Sequence, residues 1–219
     1  VPTATLEEYL EAIYKLGQNG PVRPTQIADS VGVSGPTVTA TLRRLEAHGL
    51  IVRDGTKVVL TEEGTARSLD IVRRHRIAET FLVDTLGLDW NAAHEEACLL
   101  EHALSPRVLS ALETFLHNPV VCPHGHPIPA ADGSVADVVG MPLCDVSSGC
   151  TATVLSVAEE DESILGYLGK LGLRPGARAK VVEIAPFQGP LTVEIEGIRT
   201  AIAREIASLV TVQPMVEAV

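Results

Sequence analysis

Aromatic side chains are nearly missing from this chain. It has one Trp, three Tyr and three Phe in 219 residues, although 46% of residues are hydrophobic. A core can therefore form, but aliphatic side chains must build it. No apolar run approaches the roughly 18 residues of a membrane span, so no membrane partner is expected. The opening VPTATLEEYLEAIY has acids where a secretion signal carries basic and then apolar residues, which predicts a cytoplasmic protein. Cysteine is sparse, at positions 98, 122, 144 and 150. A cytosolic chain of this length needs no disulfides, so metal binding or packing is their expected use. Positive charge is short too: 17 Lys and Arg against 28 Asp and Glu, a net −11. Taken over the whole chain, that balance argues against a nucleic-acid partner.

The distribution of charge reverses that inference locally. Residues 34 to 57 carry Arg43, Arg44, Arg53 and Lys57 against Glu46 and Asp54. Residues 71 to 145 carry four basic and ten acidic side chains, so the acid gathers elsewhere. The length suits two or three small domains.

Residues 3 to 17 read as an amphipathic helix with Leu6, Leu10, Ile13 and Leu16 at helical spacing. Thr5 and Glu8 form a capping-box pattern, and Glu8 and Glu11 share a face. Asn19-Gly20-Pro21 ends it. Residues 24 to 31 and 36 to 48 read as two short helices joined by Gly32 and the turn Val33-Ser34-Gly35-Pro36, a helix-turn-helix. Ser34, Pro36, Thr37 and Thr39 open its second helix, where small polar groups meet phosphates or base edges. Thr25 and Gln26 on the first helix, and the basic Arg43, Arg53 and Lys57, complete the candidate DNA contacts. LIVRDGTKVVLT reads as a hairpin around Asp54-Gly55, which makes the whole a winged helix.

A long helix over 61 to 86 follows, capped by Thr61 and broken at Gly87, then a helix over 90 to 104 and another from Ser105-Pro106. On the first, His75 and Glu79 are four apart. On the second, His94, Cys98 and His102 step by four, and Glu101 lies three beyond Cys98. Residues three or four apart share a helix face. Imidazole, thiolate and carboxylate on two such faces suit a first-row transition metal. Cys122, His124 and His126 alternate in a Pro/Gly-rich loop; they suit either a further metal site or turn and packing contacts, and the loop context favours packing. Cys144 and Cys150 bracket an expected linker. Residues 150 to 214 turn strand-like around a helical segment at 161 to 171, which predicts a small barrel-like β domain.

These motifs resemble the diphtheria-toxin-repressor family of metal-dependent transcriptional regulators. The resemblance runs through residues 5 to 130 on EYLEAIYKL, SGPTV, HGLI, RRHRIAE, HEEACLLEH and GHPIP. It implies an α+β chain with three domains: a winged helix over 1–70, a helical metal-binding and dimerisation domain over 71–140, and an SH3-like, FeoA-like domain over 148–219. It implies a homodimer that binds double-stranded, palindromic operator DNA and represses metal-uptake genes. It also implies two or more ions per subunit, Mn2+ or alternatively Fe2+. His75, Glu79 and His94 match one family site, to which the C-terminal domain adds an acid at Glu159, Glu160 or Glu162. Cys98, Glu101 and His102 match the regulatory site, joined by Glu8, with Glu11 at a second acidic position. Glu8 is a hard carboxylate and favours manganese, while the thiolate of Cys98 suits softer metals. A base-reading glutamine of iron members falls at Ala40, so the operator sequence does not carry over.

Three rivals stand beside this expectation. His94-Glu95-x-x-Cys98 nearly matches the H-E-x-x-H motif of zinc hydrolases, with Cys in place of the second His. Cys98 as a redox sensor is disfavoured by the surrounding carboxylates, which raise a thiol pKa. A metal-sensing interaction module without DNA binding is the third.

Overall fold

The computed structural model describes residues 4–18, 20–158 and 162–215, with Ala4 and Glu162 described by backbone alone. The expected ligand Glu159, its neighbour Glu160 and the side chain of Glu162 therefore lie outside the described residues. The chain forms two compact units, each gathered from separate stretches. The first takes Val1–His75, Leu100–Ser105 and Pro129–Ser134; the second takes Arg76–Leu99, Pro106–Ile128 and Val135–Val219.

In chain order the elements begin with α1 (Ala4–Gly17), α2 (Pro24–Val31), α3 (Gly35–Ala47), β1 (Ile51–Asp54) and β2 (Lys57–Leu60). The helices α4 (Glu62–Thr80), α5 (Ala92–Glu101) and α6 (Pro106–Phe115) follow. The rest is β3 (Met141–Pro142), β4 (Thr151–Val157), α7 (Glu162–Lys170), β5 (Arg178–Ile184), β6 (Leu191–Ile195), β7 (Ile198–Ile202), α8 (Arg204–Ala207) and β8 (Val210–Pro214). The mixture is α+β.

The first unit is a winged helix. Pro24 starts α2, the Gln26 side chain accepts a hydrogen bond from the Arg23 N–H (2.9 Å), and Gly32 ends the helix at φ 68°. Asp54 pairs with Lys57, leaving Gly55 and Thr56 as the hairpin turn, with Gly55 at φ 60°. Leu6, Leu10 and Ile13 of α1 share one core with Ile27, Val38, Leu42, Ile51, Val58 and Ile71. Each such buried aliphatic side chain stabilises by about 1.5–3 kcal/mol. Thr61 caps α4 through the Gly64 N–H (3.0 Å). Thr5 lies inside α1 and is exposed, so the expected capping box with Glu8 does not start this helix.

The second unit holds an antiparallel six-stranded sheet in the order β3-β8-β4-β5-β6-β7. Register shifts at Val154/Ser156 and Val181/Glu183 mark bulges, which increase local twist. Its core is aliphatic apart from Trp90 and Cys144. The expected linker before β4 is structured instead: β3 pairs with β8, and Leu143, Cys144 and Val146 are buried in the sheet's core. Periodicity could not show this, because the segment is too short to repeat. The expected single helix over 61 to 86 also changes form, becoming a π-helical turn over Phe81–Thr85.

Candidate metal centre and nucleic-acid interface

Among the described residues, each unit gathers a buried grouping of three potential ligands. In the first unit, Glu11 of α1, His75 of α4 and Glu101 at the end of α5 are all buried, with ligand atoms within 4.8 Å of one another. Nδ1 of His75 donates to Oε2 of Glu101 at 2.6 Å. Burial pushes the Glu101 carboxyl above the ordinary range; the His75 hydrogen bond opposes this, and the Glu11 carboxylate adds to it. Two buried carboxylates beside one imidazole are a donor set that a cation reconciles.

His102, just past α5, has Nε2 3.3 Å from Oε1 of Glu101 and Nδ1 2.7 Å from Oε2 of Glu7. Glu7 and Glu11, one helical turn apart, are thus the α1 carboxylates that reach these groups. Glu8, the ligand expected from the sequence, is exposed.

In the second unit, Oε1 of Glu79 lies 3.0 Å from Nδ1 of His94, and Cys98 Sγ lies 3.9 Å from Nε2 of the same ring. Glu79, Cys122 and His124 form a further buried grouping within 4.8 Å. Nε2 of His124 donates to the Trp90 carbonyl at 3.0 Å, so in the neutral ring the lone pair sits on Nδ1. That nitrogen faces Oε1 of Glu79 at 3.3 Å. Two acceptors aimed at one another fit a cation between them, with the Trp90 carbonyl as the outer partner that orients the ring.

Packing alone was the favoured use of Cys122 and His124 in the sequence. Their alternation with His126 was the available signal, but only the fold brings them to Glu79. His126 behaves as expected of a turn residue and donates to the Val157 carbonyl at 2.7 Å. The loop is closed by Cys122 N–H to the His126 carbonyl and Gly125 N–H to the Cys122 carbonyl, both 2.9 Å. Gly125 has φ 88°, and a Cβ there would lie 2.0 Å from the Leu155 carbonyl oxygen. Gly125→Ala is expected to cost about 1–3 kcal/mol of stability in thermal melts and to separate Cys122 and His124 from Glu79.

The winged helix presents its own surface. Ser34, Pro36, Thr37, Arg43, Arg53 and Lys57 are exposed, as are Thr25 and Gln26 on α2. Ser34 and Thr37 hydroxyls bond one another at 2.8 Å at the start of α3. Thr39 donates to the Gly35 carbonyl at 3.0 Å, which leaves its methyl as the free group. Arg53 on the hairpin lies 3.4 Å from Glu46 of α3, tying wing to helix. Lys57→Ala is expected to weaken binding to all DNA sequences alike and to lower the salt slope by about one. A slope unchanged in binding assays from low to high salt would remove Lys57 from the interface.

The comparisons with known proteins bear on the whole chain. Family models described as "Iron dependent repressor, N-terminal DNA binding domain", "Iron dependent repressor, metal binding and dimerisation domain" and "FeoA domain" match residues 3–59, 61–130 and 141–214. The iron-dependent repressor IdeR of Mycobacterium leprae is 36% identical over 197 residues, covering 83% of this chain and 85% of the relative. The chain belongs to the iron-dependent repressor family. The diphtheria toxin repressor of Corynebacterium diphtheriae is 31% identical over 226 residues, covering 96% and 97%. Among solved structures, a manganese-dependent transcriptional repressor in complex with manganese matches with TM-score 0.89 at 33% identity, covering 96% and 100%. ScaR with bound Cd2+ matches with TM-score 0.85 at 30% identity, covering 97% and 99%.

This member is thus a metal-dependent, DNA-binding transcriptional regulator with a C-terminal FeoA, SH3-like sheet. Its relatives are repressors, not enzymes, so the His94-Glu95-x-x-Cys98 segment belongs to a regulator and not to a hydrolase. Among the described residues no helix is long and apolar enough to cross a membrane.

Proposed function

We propose that this chain is a repressor switched by a divalent ion at Glu11, His75 and Glu101, with His102 as a further ligand. A second ion is held by Glu79, Cys122 and His124, with His94 beside them, making two ions per subunit. The observation that carries the proposal is the double role of α1. One face of α1 supplies Glu11 to the buried cluster. Leu6, Leu10 and Ile13 share a core with Val38 and Leu42 of the recognition helix α3. Whatever fixes α1 therefore fixes α3.

A bound divalent cation supplies positive charge and Lewis-acid coordination to oxygen and nitrogen donors. Such a cation offsets the burial that pushes the Glu101 carboxyl up and so favours its ionised form. It would tie Glu11 of α1 and Glu101 of α5 to His75 of α4. The metal shifts the population toward the DNA-competent state only to the extent that it prefers that state. Ser34, Pro36 and Thr37 enter the major groove while Arg43, Arg53 and Lys57 meet phosphates.

The acting species is a homodimer on a palindromic operator of metal-uptake genes, in the cytoplasm, with two copies of α3 about one DNA turn apart. Val108 and Phe115 on α6 are exposed apolar residues that support pairing of two copies. Mn2+ fits the oxygen-rich first cluster, with Fe2+ as the alternative. Glu11 supplies the hard carboxylate expected of Glu8, which is exposed. The test is anaerobic titration of operator binding with Mn2+ and Fe2+. Binding should require metal and respond to Mn2+ at least as well as to Fe2+. Equal operator binding by chelator-treated protein would overturn the switch, and a response to Fe2+ alone would overturn the metal assignment.

A further inference from the structure

We infer that Glu7 is a positioning residue for metal binding: its carboxylate sets the ring of His102 so that Nε2 is presented beside Glu101. The inference rests on the reading of Glu101 and His102 as ligands of one ion. It adds an α1 residue that neither the helical spacing nor the family resemblance singled out.

The geometry is a chain of three contacts. Oε2 of Glu7 accepts from Nδ1 of His102 at 2.7 Å. A carboxylate has no hydrogen to offer, so Nδ1 carries the proton and the lone pair of the neutral ring falls on Nε2. Nε2 then lies 3.3 Å from Oε1 of Glu101. The ring is held by one nitrogen and aimed with the other. This is the carboxylate–histidine–metal arrangement, in which the outer carboxylate fixes tautomer and orientation and strengthens the ligand.

Arg74 holds the carboxylate in turn. Its guanidinium lies 3.4 Å from Oε1 of Glu7 and 3.1 Å from Asp70, and donates to the Glu101 carbonyl at 2.8 Å. One side chain of α4 thus spans α1 and the end of α5. The Glu7 and His102 side chains are 16% exposed and Arg74 is 12% exposed, so water screens these contacts less than it would a surface pair. The long distance between Arg74 and Glu7 makes Arg74 the weaker partner. The 2.7 Å bond to His102 is the one that sets the ring.

A purely structural role for Glu7 predicts a different result from a positioning role. If Glu7 only pins α1, its loss lowers stability and leaves the imidazole tautomer alone. If Glu7 positions the ring, its loss changes the tautomer and the metal affinity together. The conservative change to glutamine keeps an acceptor oxygen without the charge.

The experiment uses the full chain, as parent, Glu7→Ala, Glu7→Gln and His102→Ala. The His102 tautomer is read by nitrogen-15 NMR of metal-free protein, and Mn2+ affinity by calorimetry. The parent should show Nδ1–H. Glu7→Ala should gain the Nε2–H form and bind Mn2+ about 10–100-fold more weakly. Glu7→Gln should recover the parent tautomer and part of the affinity. Unchanged tautomer and affinity in Glu7→Ala would overturn the inference, as would tighter Mn2+ binding, which would show Glu7 to be a competitor for the ring. His102→Ala separates the two levels. If it keeps parental affinity, the ligand assignment has failed; if it loses affinity while Glu7→Ala does not, only the positioning role has failed.

Discussion

Glu101→Gln is expected to abolish metal-activated operator binding, with Mn2+ affinity lowered by more than about 100-fold, beyond the 10–100-fold typical of outer-shell changes. Glutamine keeps the shape and an acceptor for the His75 N–H, but it loses the charge and the second metal-binding oxygen. The fold should survive. Burial raises the Glu101 carboxyl above its ordinary range, so the ionised form is disfavoured in the metal-free protein. A carboxyl raised in this way contributes stability at low pH that is lost as pH rises through the folded value. Above that value the neutral amide should make the metal-free chain at least as stable as the parent. Thermal melts and a metal titration of operator binding measure the two effects separately. Parental Mn2+ affinity in the variant would remove Glu101 from the site.

The second large effect concerns which cysteine binds metal. The spacing of His94, Cys98 and His102 nominated Cys98, whereas the fold places Cys122 with Glu79 and His124 in a fully buried group. Cys122→Ser should remove one of two Co2+ equivalents and with it the thiolate-to-cobalt charge-transfer absorption. Serine is a poor ligand for such an ion, and the thiolate is the softest donor of the set. Cys98→Ser should keep that absorption. If the signal instead vanishes with Cys98 and persists without Cys122, the second site has been drawn around the wrong thiol. His124→Ala should lose the same equivalent. It also leaves the Trp90 carbonyl without its 3.0 Å donor, at a cost of about 1–3 kcal/mol.

Sequence alone determined those features that depend on near neighbours. Helical spacing predicted α1 and α3, because a 3.6-residue repeat of apolar side chains is local information, and cap and breaker residues marked α2 and α4. Asp54-Gly55 predicted the wing, because few residues accept the positive φ that Gly55 adopts there. The same periodicity nominated His75, Glu79, His94, Cys98, Glu101 and His102, and the ordered motifs pointed to the family.

Tertiary structure decided the rest, because side-chain direction and long-range contact leave no periodic trace. Glu7 and Glu8 are adjacent acids on one helix, about 100° apart around its axis. Only the packing of α1 shows that Glu7 meets His102 while Glu8 faces solvent. Cys122 and His124 sit in an aperiodic loop more than forty residues beyond Glu79. Their meeting depends on the turn at Gly125 and on the Trp90 carbonyl that orients the His124 ring. Helix spacing can say which groups share a face; only the folded chain says what that face looks at.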